Sequence, residues 1–308
     1  MLRDILRLLR KVFIWPIEAA LFYIVTSAVW IMPPAISSAL MGAITGILAP
    51  LTPFHRRTIF NIGFAMPELS YQERRRIARR MWFHLGRVVG EYVHVRRLMA
   101  SNRITIEGEE LLSELDEKGG FLIGAHIGNW ELAVTPAINK GLPVNGVYRP
   151  INNKLIEPLM ARRVRIFKNI YLKGVEGARG LAASVKNKEI FAMLIDQKLR
   201  EGEMLDFFGH KASTAVAHLR FVQKYDLPIL MIRVIRTKGC HFRVVITKLD
   251  LSGFDKNNPD YIAKTGTYIN SIIESWIREY PEQWLWPHRR WPESKGEVYT
   301  PTTDKPDS

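Results

Sequence analysis

The chain has very little cysteine. Cys240 is the only one in 308 residues, so neither an internal disulfide nor a cysteine zinc site can form, as suits a cytoplasm-facing protein. Acidic residues are the scarcer charge, 30 Asp and Glu against 44 Lys and Arg, and the formal net charge is +14. That surplus points to an acidic partner: phosphate-bearing lipid, an anionic membrane face, an acidic protein or nucleic acid. The sequence has no internal repeat and no long low-complexity tract. It also lacks a Walker loop, a G-x-S-x-G elbow and an H-E-x-x-H pair, so P-loop, serine hydrolase and zincin chemistries have no anchor here. Gly174-x-x-Gly177-x-x-Gly180 has the wrong spacing for a dinucleotide fingerprint. No metal-ligand cluster and no cofactor motif stands out. Hydrophobic residues make up 47% of the chain, which excludes disorder and fits a globular core with membrane contact.

The N-terminus is basic and amphipathic, with Arg3, Arg7, Arg10 and Lys11 against Asp4. An apolar run follows from Val12 to Met32, interrupted by Pro16 and Glu18, and is close to the roughly 20 residues that a spanning helix needs. A cleaved signal peptide competes with this reading, but the run is long, Pro33-Pro34 follows, and no small-residue cleavage site is evident. A buried helix of a soluble domain is the third reading. Ala35 to Phe54 is rich in small residues and is expected to lie on a bilayer or pack on the domain. Positive charge flanks both stretches, so the positive-inside rule leaves orientation poorly set. A single anchor or a hairpin with the bulk of the chain in the cytoplasm is expected.

Ser70-x-x-Glu73 is a capping box that opens a helix over 71–98, with Ile77, Met81, Leu85, Val88 and Val89 at helical spacing. Arg74, Arg75, Arg76, Arg79 and Arg80 make its first half either a solvated face or a face for anionic headgroups. From Ile104 strands and helices alternate. Strands are expected at 104–107, 121–125, 144–148, 170–172, 190–195, 228–236 and 241–249. Helices are expected at 109–117, 130–140, 154–167, 174–186, 214–225 and 259–280, with a loop from 198 to 213. The fold class is α/β, a mixed and mostly parallel sheet flanked by helices, with at least one antiparallel pair late in the chain. The division this suggests is an N-terminal membrane anchor (1–34), a helical membrane-proximal region (35–103), an α/β domain (104–295) and a flexible tail (296–308).

The chain is organised around Lys118-Gly-Gly-Phe-Leu-Ile-Gly-Ala-His-Ile-Gly-Asn-Trp-Glu131. A turn leads into a buried strand, and a polar corner opens the helix 130–140, with Asn129 as its N-cap. His126 stands at the strand's carboxyl end, where ligands collect in open α/β sheets. Glu131 lies in the first helical turn. Together they form a base and an orienting carboxylate. The alternative is a histidine that satisfies a turn and a glutamate that complements a helix dipole. The spacing alone does not separate the two.

Gly-Ala-His-Ile-Gly-Asn-Trp-Glu resembles the H-x4-D/E signature of the glycerolipid acyltransferase superfamily, and most closely the G-x-H-x-G-N-W-E of the bacterial lipid A late acyltransferases. Further stretches resemble that family in order: Tyr148-Arg149-Pro150, Arg165 within Arg162-Arg163-Val-Arg165, and Asp196-Gln197 at a strand end. Asp206-Phe-Phe-Gly209 runs on to Thr214, and Gln283-Trp-Leu-Trp-Pro-His288-Arg289-Arg290-Trp291 follows. Asn61-x-x-Phe64-x-x-Pro67 is a looser match. Five motifs in one order over about residues 60–291 mark a glycerolipid-acyltransferase-like fold. The resemblance implies that His126 and Glu131 are catalytic and that Arg165 and Asp196 are functionally important.

It also implies a membrane-bound O-acyltransferase at the bacterial inner membrane. A fatty acyl chain would pass from acyl carrier protein to a hydroxyacyl chain of a lipid A precursor. In chemical terms His126 would take the hydroxyl proton as the oxygen attacks a thioester carbonyl, with Glu131 holding it. Oxyanion donors would be backbone N–H groups or Arg149. Arg149, Arg165, Arg289 and Arg290 would meet phosphates of an anionic glycolipid acceptor or of the carrier's pantetheine arm. Asp196 would orient one of these cations. Arg289 and Arg290 could instead pair with Glu282 or Glu293. No cofactor or metal is expected. One competing reading keeps the chemistry but uses acyl-CoA and a glycolipid such as a phosphatidylinositol mannoside. The other is a non-catalytic basic protein that binds membrane or nucleic acid, in which His126→Ala would be silent; the favoured reading has no nucleic-acid partner. Trp276, Trp284, Trp286 and Trp291 are expected to pack inside the domain rather than form an interfacial belt.

Overall fold

The computed structural model describes residues 10–295. The expected tail at 296–308 and the basic start at 1–9 lie outside the described residues. Two apolar helices open the fold, α1 (Trp15–Ile31) and α2 (Pro34–Leu48), separated by the Pro33-Pro34 break. The helical stretches that contain them, Lys11–Ile31 and Pro34–Leu51, are long and apolar enough to cross a membrane by length and composition, and little of either is buried against the protein. Next come α3 (Pro53–Ala65) and α4 (Tyr71–Glu91). The capping box forms as read: the Ser70 side chain accepts the Glu73 N–H, and Glu73 accepts the Ser70 N–H. Helix α4 ends at Glu91 rather than Leu98, and two short turns carry the chain on to Met99. α2 and α4 pack backbone to backbone. A Cβ on Gly86 would stand 2.3 Å from the Met41 carbonyl, and one on Gly90 would stand 2.5 Å from that of Ser37, so only glycine fits there.

The sheet has seven strands: β1 (Ile104–Glu107), β2 (Gly120–Gly124), β3 (Val144–Tyr148), β4 (Asn169–Leu172), β5 (Ile190–Leu194), β8 (Ile229–Lys238) and β9 (His241–Lys248). Their order is β1-β9-β8-β2-β5-β3-β4. Every pairing is parallel except the β8–β9 hairpin, so the expected late antiparallel pair is there. β2 is central and buried at every residue. Its side chains alternate, Phe121 and Ile123 facing one core cluster and Leu122 the other, as the pleat requires. Helices flank both faces, among them α5 (Val175–Lys186), α6 (Ala217–Tyr225) and α7 (Tyr261–Glu279). Ile62 and Met81 share the first cluster with Phe121, Ile273 and Trp286. Helices α3 and α4 therefore share one core with the sheet.

Three expectations about local structure are corrected. The segment read as a loop to Ser213 is a second, two-stranded sheet of β6 (Glu203–Phe207) and β7 (His210–Thr214). Phe208 and Gly209 turn it with φ of 55° and 71°, positive at both central positions as a type I′ hairpin demands. The helix expected at 130–140 is instead a 3-10 turn at Trp130–Leu132 followed by a short helix at Thr135–Asn139. Pro136 cannot donate to a continuous ladder, so it starts the second piece. The 154–167 stretch likewise divides into Glu157–Met160 and Arg163–Ile166.

The four late tryptophans pack as read, each no more than 7% exposed. Three separated motifs meet around them. Asn61 donates to the Trp286 and His288 carbonyls at 2.8 and 2.9 Å. Phe64 stacks on His210 with ring centroids 3.8 Å apart and meets Trp291 edge-on. Trp291 Nε1 donates to the Phe207 carbonyl.

Candidate active site

His126 follows the carboxyl end of β2, and Asp196 follows that of β5. The two strands are parallel with a constant offset, Gly120 opposite Ile190 through Gly124 opposite Leu194. Two residues further on, the same register sets His126 opposite Asp196. Their side chains meet, His126 Nδ1 lying 2.8 Å from Asp196 Oδ1. The other carboxylate oxygen accepts the His126 backbone N–H at 3.0 Å and Trp284 Nε1–H at 2.7 Å. Asp196 is 1% exposed and the His126 side chain 18%, so the carboxylate is sealed while the imidazole reaches the surface. Burial alone would push the Asp196 carboxyl up. The charge of His126 and the hydrogen bonds from His126 and Trp284 outweigh it and hold the group at about 2.

Asp196 thus holds Nδ1, where Glu131 is the orienting carboxylate that the sequence suggests. The carboxylate on the ring is Asp196, which also replaces its expected role of orienting an arginine. Glu131 sits one turn further on. Its Oε1 accepts from the Tyr92 hydroxyl at 3.0 Å and from Trp130 Nε1 at 3.2 Å. Burial raises its carboxyl to about 7, against opposing pulls from the His126 charge and the Trp130 bond. It is therefore a neighbouring charge that responds to His126. The Trp130 ring lies 5.2 Å from the imidazole, tilted by 59°.

The turn that presents His126 is splinted by the last signature of the chain. Gly128 N–H donates to the Gln283 carbonyl at 3.0 Å, and Leu285 N–H donates to the His126 carbonyl at 3.2 Å. Gly128 has φ of 61°, and a Cβ there would stand 1.9 Å from the Val234 carbonyl. Its own carbonyl lies 3.1 Å from His84 Nε2. Asn129 stands at the N-cap position of the Trp130–Leu132 turn as expected, but its side chain makes no cap bond there and its Nδ2 donates instead to Glu91 at 2.8 Å. Glu91, fully buried, also holds Arg236 in a two-pronged ion pair and accepts from Ser38 of α2.

The arginines divide. Arg149, Arg165 and Arg289 are exposed. Arg290 is 0% exposed, which corrects its reading both as a phosphate contact and as an ion-pair partner of Glu282 or Glu293. Its guanidinium donates to the Ser213 carbonyl and, at 2.8 Å, to the Thr214 hydroxyl, and it stacks 4.9 Å over Phe207. Burial lowers it to about 10. Arg290 thus pins the β6–β7 hairpin to the chain's end. His288 is drawn down to about 4, first by burial, while Asp196 pulls the other way. Among the described residues no group of three His, Cys, Asp or Glu side chains converges as a metal would need.

The model of the bacterial lipid A biosynthesis acyltransferase family matches residues 6–293. The chain is a member of that family. As such it is an acyltransferase of lipid A biosynthesis. It is 26% identical over 277 residues to the lipid A biosynthesis palmitoleoyltransferase of Escherichia coli K12, covering 85% of this chain and 87% of that one. The lauroyltransferase of the same organism is 24% identical over 241 residues, covering 75% and 76%. Among solved structures, the 1-acyl-sn-glycerophosphate acyltransferase of Thermotoga maritima is 13% identical, with a TM-score of 0.36 over 79% of this chain and 97% of that one.

The sequence reading missed Trp284, Tyr92, His84 and Glu91. Trp284 lies inside the Gln283–Trp291 motif, which signals its importance but not its contact with Asp196. Glu91 and His84 lie on α4, with nothing in their spacing to connect them to a turn about 40 residues away.

Proposed function

We propose that this acyltransferase moves a fatty acyl chain from acyl carrier protein to a hydroxyacyl chain of a lipid A precursor, with His126 as general base. The observation that carries the reading is the Asp196–His126 pair at the carboxyl end of β2, with Nδ1 held at 2.8 Å. With its Nδ1 proton committed to Asp196, the ring keeps its lone pair on Nε2. Nε2 takes the proton of the acceptor hydroxyl as the oxygen adds to the thioester carbonyl. The tetrahedral intermediate collapses, the C–S bond breaks, and the leaving thiolate recovers the proton from His126. The new ester and the free thiol balance the reaction with no acyl-enzyme. Glu131, titrating near neutrality beside the ring, adds a negative charge that favours the imidazolium formed on the way.

The acyl carrier is expected to meet the chain's positive surplus. The exposed Arg149, Arg165 and Arg289 are suited to phosphates of the carrier's pantetheine arm or of the acceptor. The protein is proposed to sit at the bacterial inner membrane through α1 and α2, with the sheet on the cytoplasmic side. The test is mass spectrometry of lipid A from cells lacking the protein and complemented with wild type or His126→Ala. A secondary acyl chain lost on deletion and restored only by wild type supports the proposal. Full restoration by a normally folded His126→Ala protein overturns it. Purified protein offered acyl carrier protein or CoA thioesters of the same chain separates the donors.

A further inference from the structure

A groove of about 650 Å³ lies between α2 and α4, away from His126. Arg79, Arg80, Arg87 and Arg236 line it together with the apolar Phe83 and Ile47, and its one carboxylate is Glu282. Arg236 is already committed to Glu91 and acts as floor. Arg87 lies 4.8 Å over the Phe83 ring. Arg79 and Arg80 are exposed and, among the described residues, make no ion pair. Arg79, Arg80 and Arg87, the three guanidinium groups not held by Glu91, face one carboxylate and make this a site for anions, and the planar fork of arginine suits phosphate oxygens.

The position of the groove tells which anion. Its other wall is the carboxyl half of α2, whose outer face is bare and apolar: Leu40, Ile44, Ile47 and Leu48 are 40–69% exposed. A ligand with a phosphate at one end and hydrocarbon at the other would satisfy both surfaces at once. We infer that the groove binds the headgroup of an anionic bilayer phospholipid, its acyl chains lying along α2. The groove backs onto the catalytic turn, because His84 and Gln283 both line it and both bond to Gly128. The inference rests on α2 lying in a bilayer. That premise fails separately, if the chain fractionates as a soluble protein.

The test uses the full chain, purified in neutral detergent and offered phosphatidylglycerol or phosphatidylcholine, with retained lipid counted by native mass spectrometry. Wild type is expected to retain phosphatidylglycerol in preference. The Arg79→Gln/Arg80→Gln pair is expected to weaken that retention by about 30-fold. An Arg96→Gln/Arg97→Gln pair, which removes the same charge from an exposed turn elsewhere, is expected to leave it unchanged. Gly46→Leu keeps every charge but fills the mouth, since a Cβ there already stands 3.4 Å from Phe83, and it is expected to weaken retention at least as much as the Arg79→Gln/Arg80→Gln pair. Equal losses from the two arginine pairs would show diffuse charge and overturn the site, as would indifference to headgroup. Displacement of phosphatidylglycerol by a lipid A precursor would overturn the assignment to bilayer phospholipid. If Gly46→Leu does not fold, the arginine pairs decide alone.

Discussion

Asp196→Asn isolates the role of the buried carboxylate. The amide has nearly the same shape, and its oxygen can still accept the His126 backbone N–H and Trp284 Nε1–H that Oδ2 accepts now. Its NH2 must then face Nδ1, where Oδ1 stood at 2.8 Å. The imidazole can satisfy that contact only by moving its proton to Nε2. The variant therefore keeps its hydrogen bonds but presents a donor where the base should be. Losing the right tautomer and the charge opposite the imidazolium is expected to cost about 10³–10⁴ in kcat, or ~4–5.5 kcal/mol. Stability falls by only ~1–3 kcal/mol as charge-assisted bonds become neutral ones. The assay is acyl transfer per folded molecule, with thermal melting to count the folded fraction. Activity within about tenfold of wild type in a folded Asp196→Asn protein would refute the idea that Asp196 sets the tautomer. It would return the role to Glu131.

Glu131→Gln is expected to flatten the pH–rate profile near pH 7, where the wild type should rise as the Glu131 carboxyl ionises; an unchanged profile would remove Glu131 from the reaction. Its folded value is raised above the ordinary 4.5, so the protonated form contributes stability in full below about 4.5, and that is lost as pH rises through about 7. Glu131→Gln should therefore melt higher than wild type at pH 8, by ~3 kcal/mol at most. Arg290→Met should lower the melting temperature by the equivalent of ~2–3 kcal/mol and leave KM for the acceptor unchanged; a KM effect alone would restore a substrate role. Gly128→Ala forces a Cβ against the Val234 carbonyl at positive φ, and loss of activity with a weakened fold is expected by circular dichroism melting. Glu91→Gln strands the buried Arg236 charge and should cost ~3–5 kcal/mol, read in denaturant unfolding.

Sequence alone sets the α/β class, the capping box at Ser70, and the corner that puts His126 at the end of a strand. These are local properties: hydrophobic period, turn chemistry and cap spacing act within a few residues, and the motif order fixed the family. It did not decide which carboxylate holds the base. Glu131 is five residues from His126 and Asp196 is seventy, yet the parallel register of β2 and β5 sets Asp196 on the ring. Nor did it divide the arginines. Arg289 and Arg290 are chemically alike and adjacent, but one points outward while the other is sealed beneath the β6–β7 hairpin. That hairpin lies where the sequence pattern predicts a loop. Pairing between strands distant in sequence, and the burial that follows from it, are sums over contacts that no local window contains, so they emerge only once the chain has folded.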